Sequence, residues 1–173
     1  MCIRDRHTTS NFATEPETLD AWMTQFQQTR ARHPWLVACS AADNVVVGFA
    51  KSGPHKARGA YAWTAELSVY VHHEARAGGV GKALYACLIP LLKAQGFVTL
   101  LAGITSPNAP SEKLHAVYGF TQCSVFHRVG FKFGAFHHVG YWELPLSVDD
   151  QTPAPTRTVD AVWPGHCAQC SAH

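Results

Sequence analysis

The feature of this 173-residue chain that most restricts its fold is a β-rich run, a glycine-rich turn and a helical stretch in immediate succession. Glu66-Leu-Ser-Val-Tyr-Val71 carries the branched and aromatic side chains of a strand. Gly78-Gly-Val-Gly81 forms the turn, and Lys82 to about Gln95 reads as a helix stopped by Gly96. Such a turn lets backbone approach a ligand closely and aims the amides of the helix N-terminus, with their partial positive charge, at an anion. A phosphate-bearing ligand is the natural occupant. Register excludes two common phosphate loops. A P-loop needs Gly five positions before Gly81 and Ser or Thr after Lys82, where the chain has Arg76 and Ala83. A dinucleotide fingerprint begun at Gly79 and Gly81 needs a small residue where Leu84 stands.

The remaining segments supply an α/β context. Leu19, Trp22, Met23 and Phe26 recur at helical spacing in a segment from Leu19 to His33 that Pro34 closes. Trp35-Leu-Val-Ala-Cys39 and Val45-Val-Val-Gly-Phe-Ala50 are β-rich and separated by the turn-forming Ala41-Ala-Asp-Asn44, which predicts a hairpin. Phe97 to Ala102 is a further strand. Asn108 and Pro110 mark the cap and first turn of a helix that reaches Tyr118 and stops at Gly119, and Thr121 to Phe133 and Gly140 to Leu146 complete the β-rich runs. After Ser147 the chain turns to Asp, Gln, Thr and Pro without periodicity, so one domain over residues 7–146 and a mostly disordered tail over 147–173 are expected.

Composition narrows the function. A hydrophobic content of 47% suits one globular core, and a net charge of +2 is too small and too evenly spread for a nucleic-acid partner. No apolar run approaches the ~20 residues that span a bilayer, and the N-terminus has no apolar signal core, so a cytoplasmic protein without a membrane partner is expected. Cys2, Cys39, Cys87, Cys123, Cys167 and Cys170 lack the dense spacing of a secreted disulfide framework. Reduced thiols are expected, with Cys39, Cys87 and Cys123 as small buried hydrophobes. His166-Cys-Ala-Gln-Cys170-Ser-Ala-His173 holds enough ligands for a tetrahedral ion but lies in a short tail, and no metal is expected.

Arg76-Ala-Gly-Gly-Val-Gly81 matches the R/Q-x-x-G-x-G/A pyrophosphate loop of the GCN5-related N-acetyltransferase (GNAT) superfamily. With it, Asn11-Phe-Ala-Thr-Glu-Pro16, His33-Pro-Trp-Leu-Val-Ala38, Lys56-Ala-Arg58, Tyr61-Ala-Trp-Thr-Ala-Glu66, Val69-Tyr-Val71, Leu114-His115, Gly119-Phe120, Val129-Gly-Phe-Lys132 and Val139-Gly140 resemble the phosphinothricin and methionine sulfone acetyltransferases. The resemblance runs from about residue 9 to Leu146. It implies a mixed, mostly antiparallel splayed sheet flanked by helices, acetyl-CoA as co-substrate, a small amino-acid-like acceptor and a homodimer. Members of that family begin with a strand and a helix ahead of the Asn-Phe segment, whereas Met1 to Arg6 resembles no part of the family. The first strand and helix are therefore expected to be lacking, with a sheet edge left uncovered.

The resemblance also implies site residues. Acetyl transfer requires a neutral amine, an acceptor for its proton, and stabilisation of the thioester oxygen and departing thiolate. Glu66 occupies the position of the family's general base; a solvated strand end is the alternative. His115 falls where this subfamily carries histidine and many other members a tyrosine thought to protonate the thiolate, which implies a catalytic or substrate-orienting role. Val69, Tyr70 and Val71 would meet the pantetheine arm, chiefly through backbone groups. Arg76, Ala77, Gly78, Gly79, Val80, Gly81 and Lys82 would hold the pyrophosphate. Asn108 would reach the pantetheine, serve as a plain helix cap, or do both. Lys56, Arg58 and Tyr61 lie in the loop that the family places over its substrate and supply donors for a carboxylate and a phosphinate or sulfone oxygen. Phe12, Ser68 and Tyr70 are further candidates for lining that pocket. Retention of Glu66 and His115 argues against a non-catalytic CoA sensor; a broader amino-acid N-acyltransferase is the alternative enzyme.

Overall fold

The computed structural model describes residues 8–148 and 151–163, and the calls on Cys2, Cys167, Cys170 and the His/Cys tail lie outside them. The chain divides into two compact units, one drawn from Met1–Phe26 and Leu101–Leu144, the other from Gln27–Leu100 and Pro145–His173. In chain order the elements are α1 (Leu19–Thr29), β1 (Trp35–Cys39), β2 (Val46–Pro54), β3 (Thr64–Val71), α2 (Val80–Gln95), β4 (Thr99–Ser106), α3 (Ala109–Val117), β5 (Thr121–Lys132), β6 (Ala135–Pro145) and α4 (Val159–Val162). Short 3-10 turns at Gly59–Tyr61 and His73–Gly78 flank β3.

In the second unit β1, β2 and β3 form an antiparallel meander. The register sets Ala50 opposite Val69, Ser52 opposite Leu67 and Pro54 opposite Ala65, so these residues share one face, and α2 packs against β2 and β3. Ala50, Ser52, Ala65 and Leu67 on the sheet, with Leu84, Tyr85, Leu88, Leu91 and Leu92 from α2, are buried. Full burial of a leucine-sized side chain is worth about 1.5 to 3 kcal/mol, so this layer anchors the unit. Gly96 takes a left-handed φ of 91° and closes α2, with Phe97 N donating to Leu92 O at 3.1 Å. The helix starts at Val80, two residues before the predicted Lys82, because the turn is completed by Gly79 alone.

In the first unit β6 lies between β4 and β5. The antiparallel β5–β6 hairpin turns at Phe133 and Gly134, whose φ values are 54° and 74°. That turn lengthens the last strand well beyond the predicted Gly140 start. Ala102, Ile104, Phe120 and His115 are buried here.

Two expectations fail. Cys87 is buried but disulfide-bonded, and Cys39 and Cys123 are free yet exposed rather than buried. The ladder slips between Ala38 and Cys39, at the end of β1, and Cys123 lies in the part of β5 that is exposed from Thr121 to Val129. Residues 151–163, read as disordered for want of periodicity, are held by discrete hydrogen bonds instead. Trp63 Nε1 donates to Ala154 O at 2.8 Å, Arg157 N to Gln95 O at 2.7 Å and Val159 N to Ala31 O at 2.9 Å. The fully buried Gln95 amide donates to Arg32 O at 2.9 Å and to Arg157 O at 2.8 Å.

Candidate active site

The glycine loop forms as the sequence requires. β3 ends at Val71, a 3-10 turn carries Arg76, Ala77 and Gly78, and Gly79 at φ 74° turns the chain into α2, which opens with Val80, Gly81 and Lys82. A Cβ on Gly78 or Gly79 would meet nothing within 4 Å, so this backbone faces open space of the kind a pyrophosphate needs. Gly48 sets the helix close to the sheet, since a Cβ there would lie 2.9 Å from Val80 Cγ1 and 3.0 Å from Tyr70 O. Gly48 is a packing residue that the sequence reading missed.

On β3 the side chains of Glu66, Ser68 and Tyr70 share the face turned away from α2, with Gly53, Lys51 and Phe49 opposite them on β2. Tyr70 stacks on Phe49 at 5.0 Å between ring centroids. Val69 and Val71 point to the other face, so only their backbone groups fit the expected contact with a pantetheine arm. Glu66 is paired: His55 Nδ1 lies 3.3 Å from Glu66 Oε2, and the two side chains are 18% and 34% exposed. His55 was not singled out from the sequence, where nothing distinguishes it among 11 histidines.

Lys56, Arg58 and Tyr61 lie in the loop between β2 and β3. Lys56 Nζ sits 5.1 Å from the Tyr61 ring centroid, and His55 meets the same ring edge-on at 5.6 Å. The three line a cavity of ≈ 200 Å³ together with Arg32, His33 and Thr156. Three cationic side chains make it suited to an anionic group. Burial, and secondarily the Arg32 guanidinium, push His33 down to about 4, so it is neutral near pH 7.

Asn108, His115 and Phe12 belong to the first unit. Asn108 caps α3: its Oδ1 accepts from Ser111 N at 3.4 Å while its own N donates to Glu112 Oε1 at 3.1 Å, a capping box. His115 is 3% exposed, and its Nδ1 donates to Ser111 O at 2.8 Å, which leaves Nε2 as an acceptor in the neutral ring. Burial lowers its pKa against the smaller opposing effect of that bond. The Phe12 ring fills the space over Gly130, where a Cβ would come within 2.6 Å of it. Beside it, the buried Lys132 Nζ donates to Asn11 O at 2.7 Å. Among the described residues no helix is long and apolar enough to cross a membrane.

The chain is similar to known proteins in sequence and in fold. A family described as "Acetyltransferase (GNAT) domain" matches residues 6–139. The phosphinothricin N-acetyltransferase of Streptomyces viridochromogenes is 42% identical over 154 residues, 89% of this chain and 81% of that protein. The L-methionine sulfoximine/L-methionine sulfone acetyltransferase of Salmonella typhimurium is 36% identical over 123 residues, 71% of this chain and 69% of that protein. A GNAT superfamily phosphinothricin acetyltransferase from Sinorhizobium meliloti, solved in complex with AcCoA, superposes with a TM-score of 0.80 at 28% identity, covering 92% of this chain and 84% of its own. The expected α/β class, with a mostly antiparallel sheet flanked by helices, is the one observed.

Proposed function

The chain belongs to the GNAT acetyltransferase family, and on that premise we infer that it moves the acetyl group of acetyl-CoA onto the α-amine of phosphinothricin, methionine sulfone or methionine sulfoximine. The observation that carries this reading is the continuity of β3: Glu66 stands on one face of the strand whose far end feeds the glycine loop and the α2 N-terminus. A proton acceptor and an anion cradle on one strand are what acyl transfer from a pyrophosphate-bearing thioester asks for.

In this reading the amides from Ala77 to Lys82 and the Arg76 guanidinium hold the pyrophosphate, while backbone groups of Val69, Tyr70 and Val71 line up the pantetheine arm. Asn108, although a helix cap, keeps its amide nitrogen for that arm. Glu66 takes the proton of the acceptor's ammonium, directly or through a water, and the neutral amine attacks the acetyl carbon; as the C–N bond forms the C–S bond breaks, CoA departs as its thiolate, and the proton shed by the new amide nitrogen passes to that thiolate. His115 is assigned the orienting role rather than that of an acid, because a neutral ring whose proton sits on Nδ1 presents a lone pair at Nε2. Lys56, Arg58 and Tyr61 receive the acceptor's carboxylate and its phosphinate or sulfone oxygens, with Ser68 lining the same site.

The exposed Val125, Phe126, Val129, Phe131 and Phe136 of the β5–β6 hairpin support a homodimer, since apolar side chains grouped on one hairpin favour burial against a second copy. A cytoplasmic location suits the co-substrate. The test is release of CoA thiol with a panel of phosphinothricin, methionine sulfone, methionine sulfoximine, ordinary amino acids and polyamines. Turnover confined to polyamines would overturn the acceptor assignment; turnover of ordinary amino acids at equal kcat/KM would favour a broader N-acyltransferase.

A further inference from the structure

His55 follows directly on the last residue of β2, where Pro54 pairs with Ala65 and Gly53 with Glu66, so the strand register itself delivers the imidazole to the Glu66 carboxylate. The ring is fixed from two sides, by Glu66 Oε2 at 3.3 Å from Nδ1 and by the Tyr61 ring at 5.6 Å in an edge-on contact. It is also more enclosed than the carboxylate, 18% against 34% exposed. A carboxylate on an otherwise open strand face has rotamers to choose from, and a donor locked at one oxygen removes that choice while leaving the other oxygen for a substrate.

We propose that His55 is the positioning residue of Glu66: its Nδ1–H donates to Oε2 and holds the carboxylate in one orientation, with Oε1 left for the acceptor's amine. The proposal rests on the reading of Glu66 as the base.

The experiment measures kcat from pH 5.5 to 9 at saturating acetyl-CoA and methionine sulfone for wild type, Glu66→Gln, His55→Phe and His55→Asn, with thermal midpoint and acetyl-CoA Kd as controls. His55→Phe should lower kcat at pH 7.5 by about tenfold, with KM for methionine sulfone and the acetyl-CoA Kd each changed less than about twofold. His55→Asn, whose amide nitrogen donates from the same place, should recover most of the rate at pH 7.5. A Glu66→Gln enzyme as fast as wild type at every pH overturns the base assignment and the proposal with it. If Glu66→Gln is impaired while both His55 variants superimpose on wild type, or if His55→Asn is as slow as His55→Phe, the base assignment stands and the proposal falls.

Discussion

Replacing Gly79 by aspartate and, in parallel, by asparagine isolates the electrostatic part of acetyl-CoA recognition. Gly79 has φ 74° and ψ 5°, a left-handed conformation that costs most L-residues about 1 to 2 kcal/mol but that Asn and Asp tolerate best. No atom lies within 4 Å of the added Cβ, so neither side chain clashes and both variants fold with the same small strain. They differ only in charge. A carboxylate about 4 Å from a pyrophosphate oxygen is repelled by about 1 kcal/mol in bulk water and about 4 kcal/mol at an effective dielectric of 20. Gly79 is exposed, so the lower half of that range applies, roughly 1 to 2.5 kcal/mol or about five- to sixtyfold in Kd. Isothermal titration with acetyl-CoA should therefore show Gly79→Asp weaker than Gly79→Asn by that factor. The gap should shrink from 0.1 to 1 M salt as the screening length falls from about 10 to about 3 Å. Equal Kd values for the two variants at low salt would refute the placement of the pyrophosphate at this loop.

Three further outcomes are expected. Arg58→Ala should lower kcat/KM for methionine sulfone or phosphinothricin by at least about tenfold while leaving acetyl-CoA affinity nearly constant, the loss of one charge-assisted hydrogen bond; an unchanged kcat/KM removes Arg58 from the acceptor site. Gln95→Leu keeps the volume but leaves the Arg32 and Arg157 carbonyls without their donor, costing about 2 to 4 kcal/mol, so Tm should drop by roughly 5 to 15 °C; a change under about 2 °C in a calorimetric scan would contradict this. His33 is held to about 4 in the fold against 6.5 unfolded, so the unfolded chain binds more protons between those values. The stability conferred by neutral His33 is full above pH 6.5 and is lost as pH falls toward 4. His33→Gln should flatten that part of the Tm–pH curve relative to wild type, and parallel curves would show that His33 does not contribute.

The elements legible in advance were those with a local cause. The end of α2 was marked by Gly96, whose left-handed φ follows from having no side chain, although its start fell two residues before the expected Lys82, and the N-cap role of Asn108 follows from a short side chain that reaches Ser111 N. The Thr121–Lys132 strand was legible from its β-rich run. His55 was not, because its pairing with Glu66 depends on cross-strand register rather than on any pattern within Pro54-His55-Lys56. Gly48 was silent for the same reason, its small size being demanded by Val80, far along the chain.

By itself, the sequence determined the class of fold, the order of its elements and the glycine loop, since helix and strand periodicity and the freedom of glycine are properties of neighbouring residues. Its motifs also carried the family and, through it, the candidate residues Glu66, His115, Lys56 and Arg58. Tertiary structure alone decided which of these have partners and what protonation they hold. It set His55 against Glu66, drove His33 and His115 toward neutrality by burial, and tied residues 151–163 to Trp63 and Gln95. The reason is physical: register, desolvation and hydrogen bonding between segments distant in sequence depend on what the folded chain brings together, and no local pattern encodes that.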